Sequence, residues 1–333
     1  MMKRAPDTGQ WRFFHIFGIP DMFLQGQKVG KYEIIRSLGS GGFGSVFLAK
    51  DTWLDIKVAI KVPHKQSTEL YKLLKEPRLQ AALNHPNIVR MIAAEKEDHT
   101  FFMVMEYVRG KTLEKILQKE KILEIDQAMD YVKQIAAGVD HAHKSKIIHR
   151  DLRPSNIIVS EEGTLKITDF GTSAWLNNVP YATTRIGSPP YMAPEQFQGK
   201  ATYASDIYSI GCILYEMIVG RPPIFDPDPF KILEKAQEGK ITPPRLRNNK
   251  IPKELDEIIM KCLAAKVEDR YQRPFEIIRH ISEIKGDKPR KAEIDDILGR
   301  IRARERAVRG QCSNCRRPLP LRAKNCPYCG ESV

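Results

Sequence analysis

Two groups of residues in this 333-residue chain are of types and spacing that can do chemistry. The first is the run Gly39-Ser40-Gly41-Gly42-Phe43-Gly44-Ser45-Val46. Glycine lets a backbone approach phosphate oxygens and present N–H groups with no Cβ in the way. Taken alone, the run fits an ordinary hairpin turn equally well. A dinucleotide site needs a strand-to-helix junction at the glycines, whereas Ser45–Lys50 here reads as a second strand. No Walker A run is present. The second group is Cys312-x2-Cys315 followed, after ten residues, by Cys326-x2-Cys329. Two such knuckles can wrap four thiolates around one ion as a tetrahedron, with zinc–sulfur distances of about 2.3 Å. Four protein ligands leave no open position, so a structural site is expected. Zinc fits better than iron, although an all-thiolate set admits both. Two disulfides are the alternative. Cys212 and Cys262 fall in apolar helical stretches and read as plain core residues.

The elements that must position these groups follow from periodicity. Tyr32–Leu38, Ser45–Lys50 and Val58–Val62 are short β-branched or aromatic runs between Gly- or Asp-rich turns, as in an antiparallel sheet. Phe101–Tyr107 reads as a further strand. Thr68–Leu83 is helical by composition, with Pro77 awkward inside it. Past Gly110 the chain turns mostly helical. Ile125, Ala128, Met129, Val132, Ile135, Ala136, Val139 and Ala142 keep the i, i+3, i+4, i+7 spacing of an amphipathic helix. Ser205–Val219 is apolar nearly all round, which implies a helix buried on every side. Arg221–Phe230 reads as a loop, and Pro274–Ile284 as the last helix of the large domain. A sheet-rich first part and a helix-rich second part predict an α+β, two-lobed fold.

At this point the chain resembles the eukaryotic-type protein kinases. The resemblance rests on the glycine run, on Val58-Ala59-Ile60-Lys61, and on His149-Arg150-Asp151 with Asn156 five residues after the aspartate. Asp169-Phe170-Gly171 and Ala193-Pro194-Glu195 complete the order. Each tripeptide recurs by chance, but the ordered set at these separations does not. It covers about 31–285 and implies a sheet-rich N-lobe and a helical C-lobe. It also implies ATP with Mg²⁺ or Mn²⁺ as cofactors. By the same resemblance, the loop of Gly39, Ser40, Gly41, Gly42, Phe43, Gly44 and Val46 covers the phosphates, and Lys61 neutralises them. Glu76 holds that lysine, being nine residues before His85-Pro86-Asn87; Glu69 is the fallback. Asn156 and Asp169 supply hard oxygen ligands for the divalent cation. Asp151 takes or orients the hydroxyl proton. Adenine sits between Leu38, Val46, Ala59 and Ile158, with the backbone of Glu106 to Val108 offering hydrogen bonds. Glu195 pairs with Arg270, and Asp206 braces the catalytic loop.

The run Gly187 to Glu195 resembles the serine/threonine members, with Ser188 in place of their threonine. Arg153 stands where they usually carry lysine, near the transferring phosphate. It keeps the charge but not the geometry. Tyrosine specificity therefore stays a lesser alternative. Arg150 implies a partner phosphate on the activation loop, and Thr183 and Thr184 are suitably placed for autophosphorylation. The segment also looks most like bacterial members of the family. An inactive scaffold that binds nucleotide and displays the cysteine segment is the alternative of another class. The C-terminal segment resembles a zinc ribbon, giving four expected regions: 1–30 extension, 31–285 kinase domain, 286–310 charged linker or exposed helix, and 311–333 ribbon.

Composition bounds the rest. Hydrophobic residues at 42% and charged residues at 29% exclude collagen-like and wholly disordered chains. A net charge of +13 favours anionic partners. Residues 286–333 hold twelve Lys and Arg against six acids, close to half of that excess. Protein contact through the ribbon is the first reading of this tail, an inert tail the second, nucleic acid the last, since Tyr328 alone offers a stacking surface. The protein substrates would be serine- or threonine-bearing. No apolar run approaches the roughly 18–20 residues of a membrane span. Trp11, Phe13, Phe14, Ile16 and Phe17 form an apolar cluster without a signal-peptide core, so a cytoplasmic protein is expected, with Met22 a second candidate start.

Overall fold

Alternation along one strand, Ile56–Pro63, decides how the first lobe is built. Val58, Ile60 and Val62 join Tyr32, Ile34, Phe47, Phe102 and Val104 in one buried cluster. Ala59 and Lys61 leave the strand on its opposite side and line a cleft, because successive strand side chains point to opposite faces. The computed structural model describes residues 23–42, 44–64, 66, 73–170, 188–286, 308–315, 318–320, 325–326 and 329–332. Its first lobe comprises β1 (Lys28–Val29), β2 (Tyr32–Gly41), β3 (Gly44–Asp51), β4 (Ile56–Pro63), helix α1 (Lys75–Ala81), β5 (Met91–Glu97) and β6 (Thr100–Glu106). The six strands pair antiparallel in the order β1-β2-β3-β4-β6-β5. Strand β5 escapes sequence reasoning because Ala, Glu and Lys are poor strand formers and one of its faces is exposed. Helix α1 tolerates Pro77 because it is the third residue of the first turn, where backbone N–H groups lack intrahelical partners anyway. The described helix ends at Ala81, short of the expected Leu83.

The second lobe adds β7 (Gly110–Thr112), α2 (Leu113–Glu120), α3 (Ile125–Lys144), β8 (Ile157–Ser160), β9 (Leu165–Ile167), α4 (Tyr203–Val219), α5 (Pro229–Gln237), α6 (Lys253–Cys262) and α7 (Pro274–Lys285). Met129, Val132, Ile135, Ala136, Val139 and Ala142 form the buried stripe of α3. Helix α4 is buried along nearly its whole circumference, including Ser205 and Asp206. Strands β7, β8 and β9 form a small sheet, which the helical reading after Gly110 omits: three- and four-residue strands carry too little alternation to detect. The expected loop 221–230 ends early. Asp228 accepts a hydrogen bond from Phe230 N at 2.9 Å, and Pro229, which needs no N–H partner, opens α5.

The chain divides between Arg279 and His280 into two units. In the second, β10 (Val308–Gln311) pairs antiparallel with β11 (Pro318–Pro320), and Asn325 bridges Ser332. The expected linker 286–310 is therefore strand from Val308. Among the described residues, no helix is long and apolar enough to cross a membrane.

Candidate active site

The cleft in the first unit has a volume of about 650 Å³. Its apolar end is one cluster: Ala59, Val89 and Met105 buried at the back, with Leu38, Val46, Val108 and Ile158 packed against them. Val89 and Met105 complete a wall that sequence reasoning left incomplete, since each sits in an apolar run indistinguishable from ordinary core. Glu106 and Val108 line the same cleft where the chain leaves β6. Glu106 is tied down on both sides: its Oε1 accepts from Arg90 N at 2.8 Å and from Lys166 Nζ, on β9, at 2.7 Å.

The glycine hairpin β2–β3 overhangs the cleft. A Cβ on Gly39, Gly41 or Gly42 would meet nothing within 4 Å, so these residues border open space. Gly44 serves another need. A Cβ there would lie 2.4 Å from the Val62 carbonyl oxygen and push β3 off β4. Ser40 and Ser45 hydroxyls face each other across the turn at 3.1 Å. Phe43 lies outside the described residues.

Beneath the hairpin, Lys61 Nζ donates to Glu76 Oε1 at 3.0 Å and to Asp169 Oδ1 at 2.6 Å. Burial works against the ammonium, but the two carboxylates outweigh it, so the Lys61 pKa rises and the cation persists. Burial also opposes the charge of Asp169, yet Lys61 beside it holds this carboxyl below its ordinary value. At Glu76 burial prevails and the pKa rises. Asp169 carries a positive φ of 65°, a left-handed backbone that a non-glycine residue adopts at a cost. Glu69 lies outside the described residues.

The segment His149–Asn156 forms the cleft floor. Asn156 Nδ2 donates to the Asp151 carbonyl at 2.8 Å and to its Oδ2 at 3.1 Å. A 3₁₀ turn, Pro154–Asn156, sets that reach, and Thr168 N donates to Asn156 O at 3.0 Å, so Asp169 follows directly. Arg153 Nε stands 3.8 Å from Asp151 Oδ2. Burial pushes the Asp151 carboxyl above its ordinary value, against the pull of Arg153, His149 and Asn156. Both Arg153 Nε and Ser155 Oγ are buried without a hydrogen-bond partner, at a cleft wall that also bears Lys61. Unpaired buried donors beside an open, glycine-roofed space suit an anion.

One carboxylate holds this floor. Asp206, on the first turn of α4, accepts from His149 N at 3.0 Å, Arg150 N at 2.9 Å and His143 Nε2 at 2.7 Å. Burial would raise its pKa, but these donors bring it below the ordinary value. His149 Nε2 contacts Thr168 O at 2.9 Å, and its ring packs edge-on against Phe170 at 4.7 Å. Arg270 forks onto Glu195 at 2.8 and 3.0 Å, and Tyr191 hydroxyl donates to Glu216 at 2.5 Å. The His143 and Lys166 contacts bridge 63 and 60 residues of sequence and leave no local signal. Thr183 and Thr184 lie outside the described residues; Arg150 is described, with a φ of +66°.

In the second unit the Sγ atoms of Cys312, Cys315, Cys326 and Cys329 all lie within 4.8 Å of one another. Cys312 and Cys329 are 3.6 Å apart, Cys315 and Cys326 3.5 Å. A disulfide requires about 2.05 Å. A zinc–sulfur length of about 2.3 Å implies tetrahedral edges of about 3.8 Å. The four thiols therefore fit one ion and not two disulfides, and all are unbridged.

A family described as "Protein kinase domain" matches residues 32–281. The chain is 34% identical over 257 residues to the serine/threonine-protein kinase PrkC of Bacillus subtilis, covering 75% of this chain and 40% of the relative. It is 32% identical over 275 residues to the serine/threonine-protein kinase PknB of Mycobacterium tuberculosis, covering 79% of this chain and 44% of the relative. The chain thus spans less than half the length of these curated relatives.

Proposed function

Because this chain belongs to the protein kinase family, we propose that it transfers the terminal phosphoryl group of ATP to serine or threonine hydroxyls of proteins. The observation that carries the reading is Lys61, shared between Glu76 and Asp169 under a glycine hairpin and opposite the Asp151–Asn156 pair. Such a transfer needs little covalent help from protein, so positioning and charge neutralisation do most of the work. The apolar end of the cleft takes the adenine ring, and backbone groups of Glu106 to Val108 bond its edge. Lys61 neutralises phosphate oxygens, and Arg153 adds a second cation where phosphate leaves for substrate. Asn156 and Asp169 would hold a magnesium or manganese ion, which supplies charge neutralisation across the phosphates. Asn156 Nδ2 also orients Asp151, whose carboxylate accepts the hydroxyl proton. A raised pKa makes that carboxylate a stronger base.

Activation follows from charge on the same reading. A phosphate on Thr183 or Thr184 pairs with Arg150 and orders the segment before Ser188. The four-cysteine unit binds a structural zinc and offers a surface for a protein partner.

One incubation with Mg-ATP and a generic basic protein tests both levels. Wild type should label the protein and, on peptide mass mapping, Thr183 or Thr184. Asp151→Asn should lose transfer by at least about a thousandfold while still binding nucleotide. Equal transfer by both proteins removes the catalytic assignment. Full activity with both threonines unmodified removes only the switch.

A further inference from the structure

Helix α4 stops at Gly220, whose φ of +85° reverses the chain, and Arg221 emerges at once from that turn. Arg221 opens a second pocket, of about 540 Å³, whose lining includes none of the residues assigned above. Pro222, Pro223 and Ile224 form one side, and Arg247, Lys235 and Lys240 contribute the others. Phe225 stands at its rim, 70% exposed. Lys235 pairs with Asp226 at 2.9 Å, and Lys240 with Glu238 at 2.9 Å. Among the described residues, no ion pair joins Arg221 or Arg247 to a carboxylate. Arg247 is steered into the pocket by a hydrogen bond to Thr242 Oγ1 at 3.2 Å. Burial raises the pKa of the Tyr215 hydroxyl that lines this pocket; Arg247 and Arg221 pull it down, and Asp256 acts in the opposite sense.

Four cations against the nearby carboxylates of Asp226, Glu238 and Asp256 leave a net positive charge in a concave site. A phosphate monoester carries about −1.5 to −2 at neutral pH, so it is drawn to that surplus more strongly than a single carboxylate. Two guanidinium forks also suit the several oxygens of phosphate better than one ammonium would. The cavity is far larger than a phosphate, and Phe225 offers an apolar contact beside the charge. We propose that the pocket bounded by Arg221, Arg247, Lys240 and Phe225 binds a phosphorylated serine or threonine within a polypeptide. The availability of such peptides as products of this chain rests on the kinase reading; the site itself does not.

The test uses the full chain carrying Asp151→Asn, so that no peptide is altered during the measurement. A fluorescein-labelled peptide with one phosphothreonine flanked by leucines is compared, by anisotropy, with its unphosphorylated twin. The phosphorylated form should bind at least about tenfold more tightly, as one or two charge-assisted hydrogen bonds require. Arg221→Gln, at an exposed position, should remove about tenfold of that affinity, and Arg247→Gln a similar amount. Inorganic phosphate should displace the peptide only at far higher concentration. Equal binding of the twins, or no loss in Arg221→Gln, overturns the site. Inorganic phosphate competing as well as the peptide overturns the polypeptide ligand. With Asp151 intact, Arg221→Gln should transfer phosphate to a generic basic protein at the wild-type rate. Transfer without peptide binding thus defeats this proposal alone, and binding without transfer defeats only the kinase reading.

Discussion

Asp206 is a deeply buried carboxylate and Asp151 a largely buried one, yet burial ends differently at each. Asp206 receives three donors and stays below the ordinary aspartate range. Asp151 receives one amide and a guanidinium at 3.8 Å, too little to offset the loss of water, and its pKa rises. The sign fixes the pH behaviour. A raised pKa means Asp151 takes up its proton at a higher pH than the ordinary 3.8. The acid limb of kcat/KM should therefore lie above that value in a pH–rate profile, and a limb at or below it contradicts the base assignment. The same shift means that ionised Asp151 costs folding free energy as pH rises through its folded pKa. Asp151→Asn should accordingly melt no lower than wild type at pH 7, a result calorimetry can check.

Among the elements, the tie from the 3₁₀ turn Pro194–Gln198 to the loop before α7 depends on one ion pair. Arg270 is fully buried, forks onto Glu195, and donates also to the carbonyls of Ala204, Ala264 and Ala265. Removing it leaves Glu195 with the Ser205 hydroxyl but no cation, and takes a donor from each of three carbonyls. Arg270→Ala should cost about 3–5 kcal/mol in urea unfolding, and a cost under about 1 kcal/mol would show the pair to be dispensable. This pair was legible in the sequence only through the family resemblance, since 75 residues separate its members. The central strands were legible from the residues themselves: Val58, Ile60 and Val62 alternate with Ala59 and Lys61, and one face of that pattern had to be buried. Strand β5 was not, because an Ala-, Glu- and Lys-rich edge strand lacks the signal. Within the site, glycine, lysine and carboxylate positions stood out by type and spacing. The supporting contacts His143–Asp206 and Lys166–Glu106 did not, because a histidine or lysine on an element carries no mark of a partner some sixty residues away.

At the scale of the whole molecule, the two units draw stability from different sources. The first buries extended apolar clusters around its sheet and around α3 and α4. In the second, beyond Val308, the described buried cluster is the cysteine group itself. A unit this small needs a staple. Purified chain should carry one zinc per polypeptide by elemental mass spectrometry. Chelation should open 308–333 to protease while 23–279 resists; equal resistance of both segments with and without metal contradicts a structural ion. The grip of Asp206 has a consequence on the same scale. The amide hydrogens of His149 and Arg150 point into a buried anion and reach solvent only when α4 leaves its place in the core. In deuterated water these two loop positions should exchange as slowly as the most protected helices, so the floor of the cleft is timed by the unfolding of the lobe and not by loop motion.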